Sequence, residues 1–284
     1  MKERAKKILK SFYDAGYYTI HHDGIEHAGY LAFLALLSLF PFIVFVFSIA
    51  GNLGKEEIGI RFIAEIRHFL PHDAIASLEP RINEILSGPP QGLLTLAIIG
   101  IIWTSSSIVE GLRTILNRAY RVNNPPRYIF RRLMSMLQII ILTFLVIIAM
   151  FFITIAPNLW DFIKDYFNLT FEIDPHLLRL RYYISAYVIF FSLAISYYVL
   201  PNIKQSLIAV LPGAFVVLIL WLISAHIFSG YIEQYRQLNI VYGSLANFII
   251  TLIFFYVLSV IYIFGAEFNY FFEKSLGHEI IQKE

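Results

Sequence analysis

Long uninterrupted apolar runs dominate the chain, in place of the short alternations of a half-buried sheet or the three-and-four spacing of a surface helix. A helix crossing the hydrocarbon core of a bilayer needs roughly 20 apolar residues, with about 17 to 25 tolerated. Six stretches reach that length, at about 28–50, 93–109, 133–156, 182–200, 206–229 and 245–268. The second is the shortest and contains Thr104, Ser105, Ser106 and Ser107, whose hydroxyls can bond the preceding turn or another helix. The expected fold is therefore all-α, a polytopic transmembrane helical bundle of about six spans forming one membrane domain over residues 1–284. Residues 51–92 are too many for a simple turn, and Ile75, Leu78, Ile82 and Ile85 recur at helical spacing, which predicts amphipathic helices in this first external loop. They could lie in the outer interface or cover the bundle as a lid. A further amphipathic helix is expected after span two, and Pro89-Pro90 and Pro125-Pro126 mark breaks. No internal repeat supports an inverted-repeat transporter.

Charge orients the bundle. With the N-terminus inside, the inner segments carry 14 Lys and Arg against 8 in the outer ones, where Glu56, Glu57, Glu65, Asp161, Asp165 and Asp174 are interleaved. Both termini are thus expected on the cytoplasmic side. The basic start of the chain is followed by more polar sequence, so no cleaved signal peptide is expected. A hydrophobic fraction of 58%, a charged fraction of 15% and a mean hydropathy of +0.68 reinforce the membrane reading. A net charge of +2 leaves no basic footprint for nucleic acid. The absence of cysteine excludes disulfides, thiolate nucleophiles and cysteine metal sites. No cofactor is expected, and the expected partners are membrane lipids and an amphipathic substrate, with the oligomeric state open.

Three constellations stand out. Around span six, Ser244, Asn247, Thr251, Tyr262 and Asn269 fall within a sector of roughly 60° at about 100° per residue, with Gly265 among them and an apolar middle at Phe254, Phe255 and Leu258. This face either bonds other helices or forms a substrate wall. Glu110, Arg113, Asn117 and Tyr120 align where span two runs into the cytoplasmic helix. Glu267, at the cytoplasmic end of span six and turned away from Asn247, needs a cation, for which Arg113 or Arg118 is the candidate. The residues Glu110, Arg113, Asn117, Arg118 and Glu267 thus form a candidate charged cytoplasmic cluster, either structural or engaged in proton coupling or head-group binding. Third, Pro41 in span one and Pro212-Gly213 in span five are candidate hinges, since each proline removes a backbone donor inside an apolar helix.

Two histidine groups, His21, His22 and His27 with Asp23 and Glu26, and Glu65, His68 and His72 with Asp73, have partly suitable spacing without a metal motif, so no metal site is expected. Arg121, Arg127, Arg131 and Arg132 could attract anionic head groups, or simply follow the positive-inside bias.

Read in order, LAFLALLSLFP from Leu31 to Pro41, Trp103-Thr104-Ser105, LNRAYRV from Leu116 to Val122, Pro201-Asn202, Pro212-Gly213-Ala214, Tyr242-Gly243-Ser244-Leu245-Ala246 and Gly265-Ala266-Glu267-Phe268-Asn269 resemble the YihY/virulence factor BrkB-like family of bacterial inner-membrane proteins, nearly end to end. The resemblance implies a six-helix protein of the inner (plasma) membrane and no particular activity. An older ribonuclease BN label for that family finds no support in these residues, because a metal-dependent nuclease needs clustered His and Asp ligands. The leading functional expectation is transport or handling of a lipid or other amphipathic envelope component. A non-transporting scaffold or regulator of envelope assembly is the alternative. A membrane enzyme ranks third, for want of a triad, an acid pair or a metal signature.

Overall fold

The computed structural model describes residues 2–53, 91–123, 127–141, 143–144, 175–234 and 244–283. Its elements are α1 (Lys2–His21), α2 (Gly24–Leu53), α3 (Gln91–Ala119), α4 (Pro175–Val199), β1 (Ile203–Lys204), α5 (Leu207–Gln234), α6 (Ser244–Ser275) and β2 (Ile281–Gln282). Residues 128–141 are also helical. The external loop with its expected amphipathic helices, the second histidine group, both proline pairs and the end of span three lie outside the described residues.

Two helices among the described residues are long and apolar enough to cross a membrane, Leu207–Gly230 with a mean hydropathy of 2.7 and Phe248–Ser275 with 2.5. Only 33% and 17% of these apolar windows are covered by the rest of the protein. Helices so apolar and so little covered call for lipid, since water would leave this surface uncompensated. Gly24–Leu39 and Ala186–Val199 are shorter apolar helices. Span two and the charged face beyond it form one continuous helix, α3.

The chain divides into two compact units. One comprises Met1–Leu36, Glu110–Arg131 and Tyr183–Glu284. Its core holds Ala28, Leu31, Ile115 and Ile263, with Leu112, Tyr256 and Val260 packed against them. The basic N-terminal stretch, which the sequence presents as a polar approach to span one, is the helix α1, and it packs on α6: the Phe12 ring lies 4.6 Å from Phe268 and 5.7 Å from Phe264, and Tyr18 lies 4.8 Å from Phe271. The α1–α2 turn runs through Asp23 at φ 57°. There a Cβ on Gly24 would sit 2.3 Å from the Thr19 carbonyl oxygen, so the turn needs glycine. β1 and β2 pair antiparallel, Ile203 opposite Gln282 and Lys204 opposite Ile281, a small exception to the all-α expectation.

The other unit comprises Leu37–Val109 and Arg132–Tyr182. In it the Ser38 hydroxyl donates to the Thr104 carbonyl at 3.5 Å. The buried Arg132 donates to the Trp103 carbonyl and, at 3.1 Å, to Ser107, with its guanidinium 4.6 Å from the Trp103 ring centre. Pro41 lies inside α2, where it removes one backbone donor.

Candidate functional site

At the end of α6, Glu267 is 1% exposed. Its partner is Arg121, whose Nη1 donates to Oε2 at 2.7 Å, and not the expected Arg113 or Arg118. The reason is how α3 ends. The Arg121 N–H bonds the Arg118 carbonyl at 3.0 Å, and the Val122 N–H bonds the Asn117 carbonyl at 2.8 Å. This double closure places one residue in the left-handed region, a position that glycine usually fills. Here it is Arg121, at φ 56°. A side chain in that conformation costs about 1–2 kcal/mol, and it turns the guanidinium off the helical course towards Glu267. The guanidinium also lies 3.9 Å from the Tyr270 ring centre, 5.3 Å from Phe271 and 5.7 Å from Tyr18, which favours a cation there.

His22 completes the group. Its Nδ1 lies 3.3 Å from Glu267 Oε1 and 3.2 Å from Arg121 Nη2. One ring nitrogen cannot serve both contacts at once: with a proton it donates to the carboxylate, and without one it accepts from the guanidinium. The arrangement therefore offers a tautomer-dependent choice of partner at a partly exposed imidazole. A second group lies nearby, where Arg118 meets Asp23 Oδ2 at 2.6 Å and His27 Nε2 at 2.8 Å. Since arginine only donates, the His27 Nε2 accepts in this geometry. Tyr18, Thr19, His22, Gly24, His27, Arg118 and Glu267 help line a cavity of about 10 Å³, enough for one water-sized group.

The remaining members of the expected charged cluster sit elsewhere in the same unit. Glu110 pairs with Arg131 at 3.3 Å and Arg113 at 3.6 Å. Arg113 Nη1 donates to the Leu200 carbonyl at 3.3 Å, and Asn117 Oδ1 accepts the Asn202 N–H at 2.7 Å. Burial pulls the Arg113 guanidinium below its usual range, with Glu110 opposing the shift. The five residues are thus split between two ionic groups. Of the arginines read as a head-group rim, Arg121, Arg131 and Arg132 have partners within the chain.

The polar face of α6 is turned inward where its side chains are described. Asn269 Oδ1 accepts the Gly213 N–H at 2.7 Å, while its Nδ2 donates to the Val210 carbonyl at 3.3 Å. The amide thereby bridges the Pro212-Gly213 step of α5. A Cβ on Gly213 would fall 2.4 to 2.5 Å from the Asn269 amide atoms, and one on Gly265 would fall 2.2 Å from Val217 Cγ2. Small residues let the two helices cross closely. Tyr262 donates to Ser196 at 2.9 Å, its carbonyl accepts from Tyr197 at 2.6 Å, and the two tyrosine rings stack with centres 4.7 Å apart. Trp221 Nε1 donates to the Leu258 carbonyl at 3.0 Å. Thr251 lies half-buried, and the Ser244 and Asn247 side chains lie outside the described residues. Among the described residues no three His, Asp or Glu side chains are placed to hold a metal ion.

The chain is 28% identical to YfkH of Bacillus subtilis, named a ribonuclease-like protein, over 90% of this chain and 92% of that one. It is 23% identical to a UPF0761 membrane protein of Alteromonas mediterranea over 85% of this chain and 80% of the relative, and 27% identical to one of Aliivibrio salmonicida over 87% and 78%. No solved structure matches it. The family model for Virulence factor BrkB matches residues 19–283; taken with the lipid-demanding helices α5 and α6, that match makes the chain a membrane protein belonging to the BrkB virulence factor family.

Proposed function

We propose that the chain is a multi-pass protein of the bacterial inner membrane, with six spans in one membrane domain and both termini inside, that transports or otherwise handles a lipid or other amphipathic envelope component. The observation that carries this reading is the Glu267–Arg121–His22 group: a buried carboxylate at the end of a lipid-facing helix, held against an arginine in a strained backbone conformation. Ionisable groups in such a place are costly and mark substrate or ion pathways. An anionic head group would compete with Glu267 for Arg121, and His22, within reach of both, would stay with whichever of the two the exchange leaves in place. The cavity is too small for a head group, so engagement requires the Arg121–Glu267 pair to open.

Reconstitution in liposomes with labelled phospholipids and anionic glycolipids tests the reading, with and without an imposed proton gradient. Leaflet exchange that requires the protein and is lost in a folded Arg121→Gln variant supports it. Exchange equal to that of empty liposomes in every condition rejects it.

One observation favours a second reading, a non-transporting scaffold of envelope assembly. Tyr262 and Asn269, which would have lined a path along α6, are engaged in helix-to-helix hydrogen bonds. That reading expects no flux and a partner that copurifies at fixed stoichiometry.

A further inference from the structure

α1 has an apolar stripe beyond the one it buries. Its inner side holds Ser11, Ala15 and Thr19, all buried, with Tyr18 against Phe271 of α6. Its outer side presents Leu9 and Tyr13, each 73% exposed, and Ile20, 64% exposed. At about 100° per residue these three fall within roughly 40° of one another. Tyr17 continues the stripe on one flank, and the exposed Lys6 and Lys10 lie along that same flank. In water such a stripe has no reason to persist. A helix with apolar and aromatic side chains outward and lysines beside them has the make-up of one lying in a membrane interface.

The position of α1 says what covers this stripe. Phe12 and Tyr18 pack on Phe264, Phe268 and Phe271, in the last turns of the apolar helix Phe248–Ser275. α1 is therefore held at the level where that helix leaves the hydrocarbon. Lys6 and Lys10, on the flank of the stripe, are exposed, and the single acid among the described side chains of α1, Asp14, is half-buried, so the surface they meet is anionic. We propose that α1 lies on the bilayer surface at the end of α6, with Leu9, Tyr13 and Ile20 in the interface and Lys6 and Lys10 on anionic lipid head groups. This assignment stands independently of lipid transport, because it concerns how the protein sits on the leaflet and not what it moves.

The cysteine-free chain allows a direct test on the full-length protein. Tyr13→Cys and, about 120° away around the helix, the exposed Lys7→Cys are spin-labelled separately in phosphatidylcholine vesicles with and without phosphatidylglycerol. Collisions with oxygen report lipid, and collisions with a water-soluble nickel chelate report water. The expected result is a Tyr13→Cys label exposed to oxygen and shielded from nickel, a Lys7→Cys label with the reverse pattern, and a contrast that sharpens with phosphatidylglycerol. Adding Lys6→Gln to the Tyr13→Cys protein should lower the ratio of docked to undocked label about fivefold in the anionic vesicles, and leave it unchanged in pure phosphatidylcholine. Nickel access at Tyr13→Cys equal to that at Lys7→Cys in both vesicles would overturn the proposal. So would spin–spin coupling between Tyr13→Cys labels, which would show a second copy of the chain on this face.

Discussion

The α5–α6 crossing and the ionic group at the end of α6 solve the same problem by different means. At the crossing, polar needs are met by neutral groups: an asparagine amide over the Pro212-Gly213 step, an indole on a carbonyl, and glycines that admit close approach. None of these groups carries a charge or needs a counterion. Some ten ångströms of helix rise is ample to separate such a crossing from a charged group, yet Glu267 lies only two residues before Asn269 and turns a different way. There the chain holds a buried carboxylate, a strained arginine and an imidazole with two competing contacts. A buried ion pair is weak evidence for stability, because apolar packing would often do as well. The contrast teaches that the crossing is built to stay closed, whereas the ionic group retains costs that a purely structural joint would avoid.

The sharpest way to break this comparison is Gly213→Val. The new side chain must expel the Asn269 amide, adding overpacking to the loss of two buried hydrogen bonds, for an expected destabilisation of about 3–5 kcal/mol. Thermal unfolding in detergent should show a large fall in Tm; a near-normal Tm would mean that the crossing is looser than described. Next come two substitutions at one position. Arg121→Ala should cost about 2–3 kcal/mol, discounted for the partial exposure of the arginine. Arg121→Gly should recover about 1 kcal/mol of that, because glycine adopts φ 56° without strain. If the ionic group is functional, both should abolish leaflet exchange despite their difference in Tm; exchange that tracked Tm would make it a structural joint after all.

Smaller effects refine the picture. Trp221→Phe should remove one hydrogen bond to the Leu258 carbonyl and cost about 1 kcal/mol, with no change in the response of Tm to pH. Arg118→Gln breaks an ion pair in which both side chains are about half exposed, so a loss below about 1 kcal/mol is expected, shrinking further in high salt. A larger loss that survives salt would move Arg118 from the periphery of the ionic group into its centre.

Much of this was legible in the sequence, in pieces. The apolar runs mark α5 and α6 because their length follows from bilayer thickness. Pro212, Gly213, Tyr262 and Asn269 could each be singled out, since polar and helix-breaking residues in apolar runs are conspicuous. That Asn269 sits on Gly213 could not be read, because periodicity fixes a face and not the helix it meets. Glu267 clearly needed a cation, but seeking one at the same depth points to Arg113 or Arg118. The true partner lies beyond the helix end, where the backbone leaves the wheel. The available signal was LNRAYRV itself, a helix end without the glycine that usually closes it. α1 escaped notice because its lysines read as a topology signal, and its apolar positions serve two faces instead of one stripe.

The amide bridge over the Pro212-Gly213 step also bears on how the protein is made. Pro212 has no N–H, so the carbonyl one turn earlier in α5 lacks its usual donor, and the nearby Gly213 N–H and Val210 carbonyl engage a side chain 56 and 59 residues later in the chain. Synthesis delivers α5 well before Asn269 exists. During that interval the step faces the lipid or the insertion machinery with polar backbone that hydrocarbon cannot satisfy. The polar step of α5 therefore gains its last two hydrogen-bond partners only when α6 arrives.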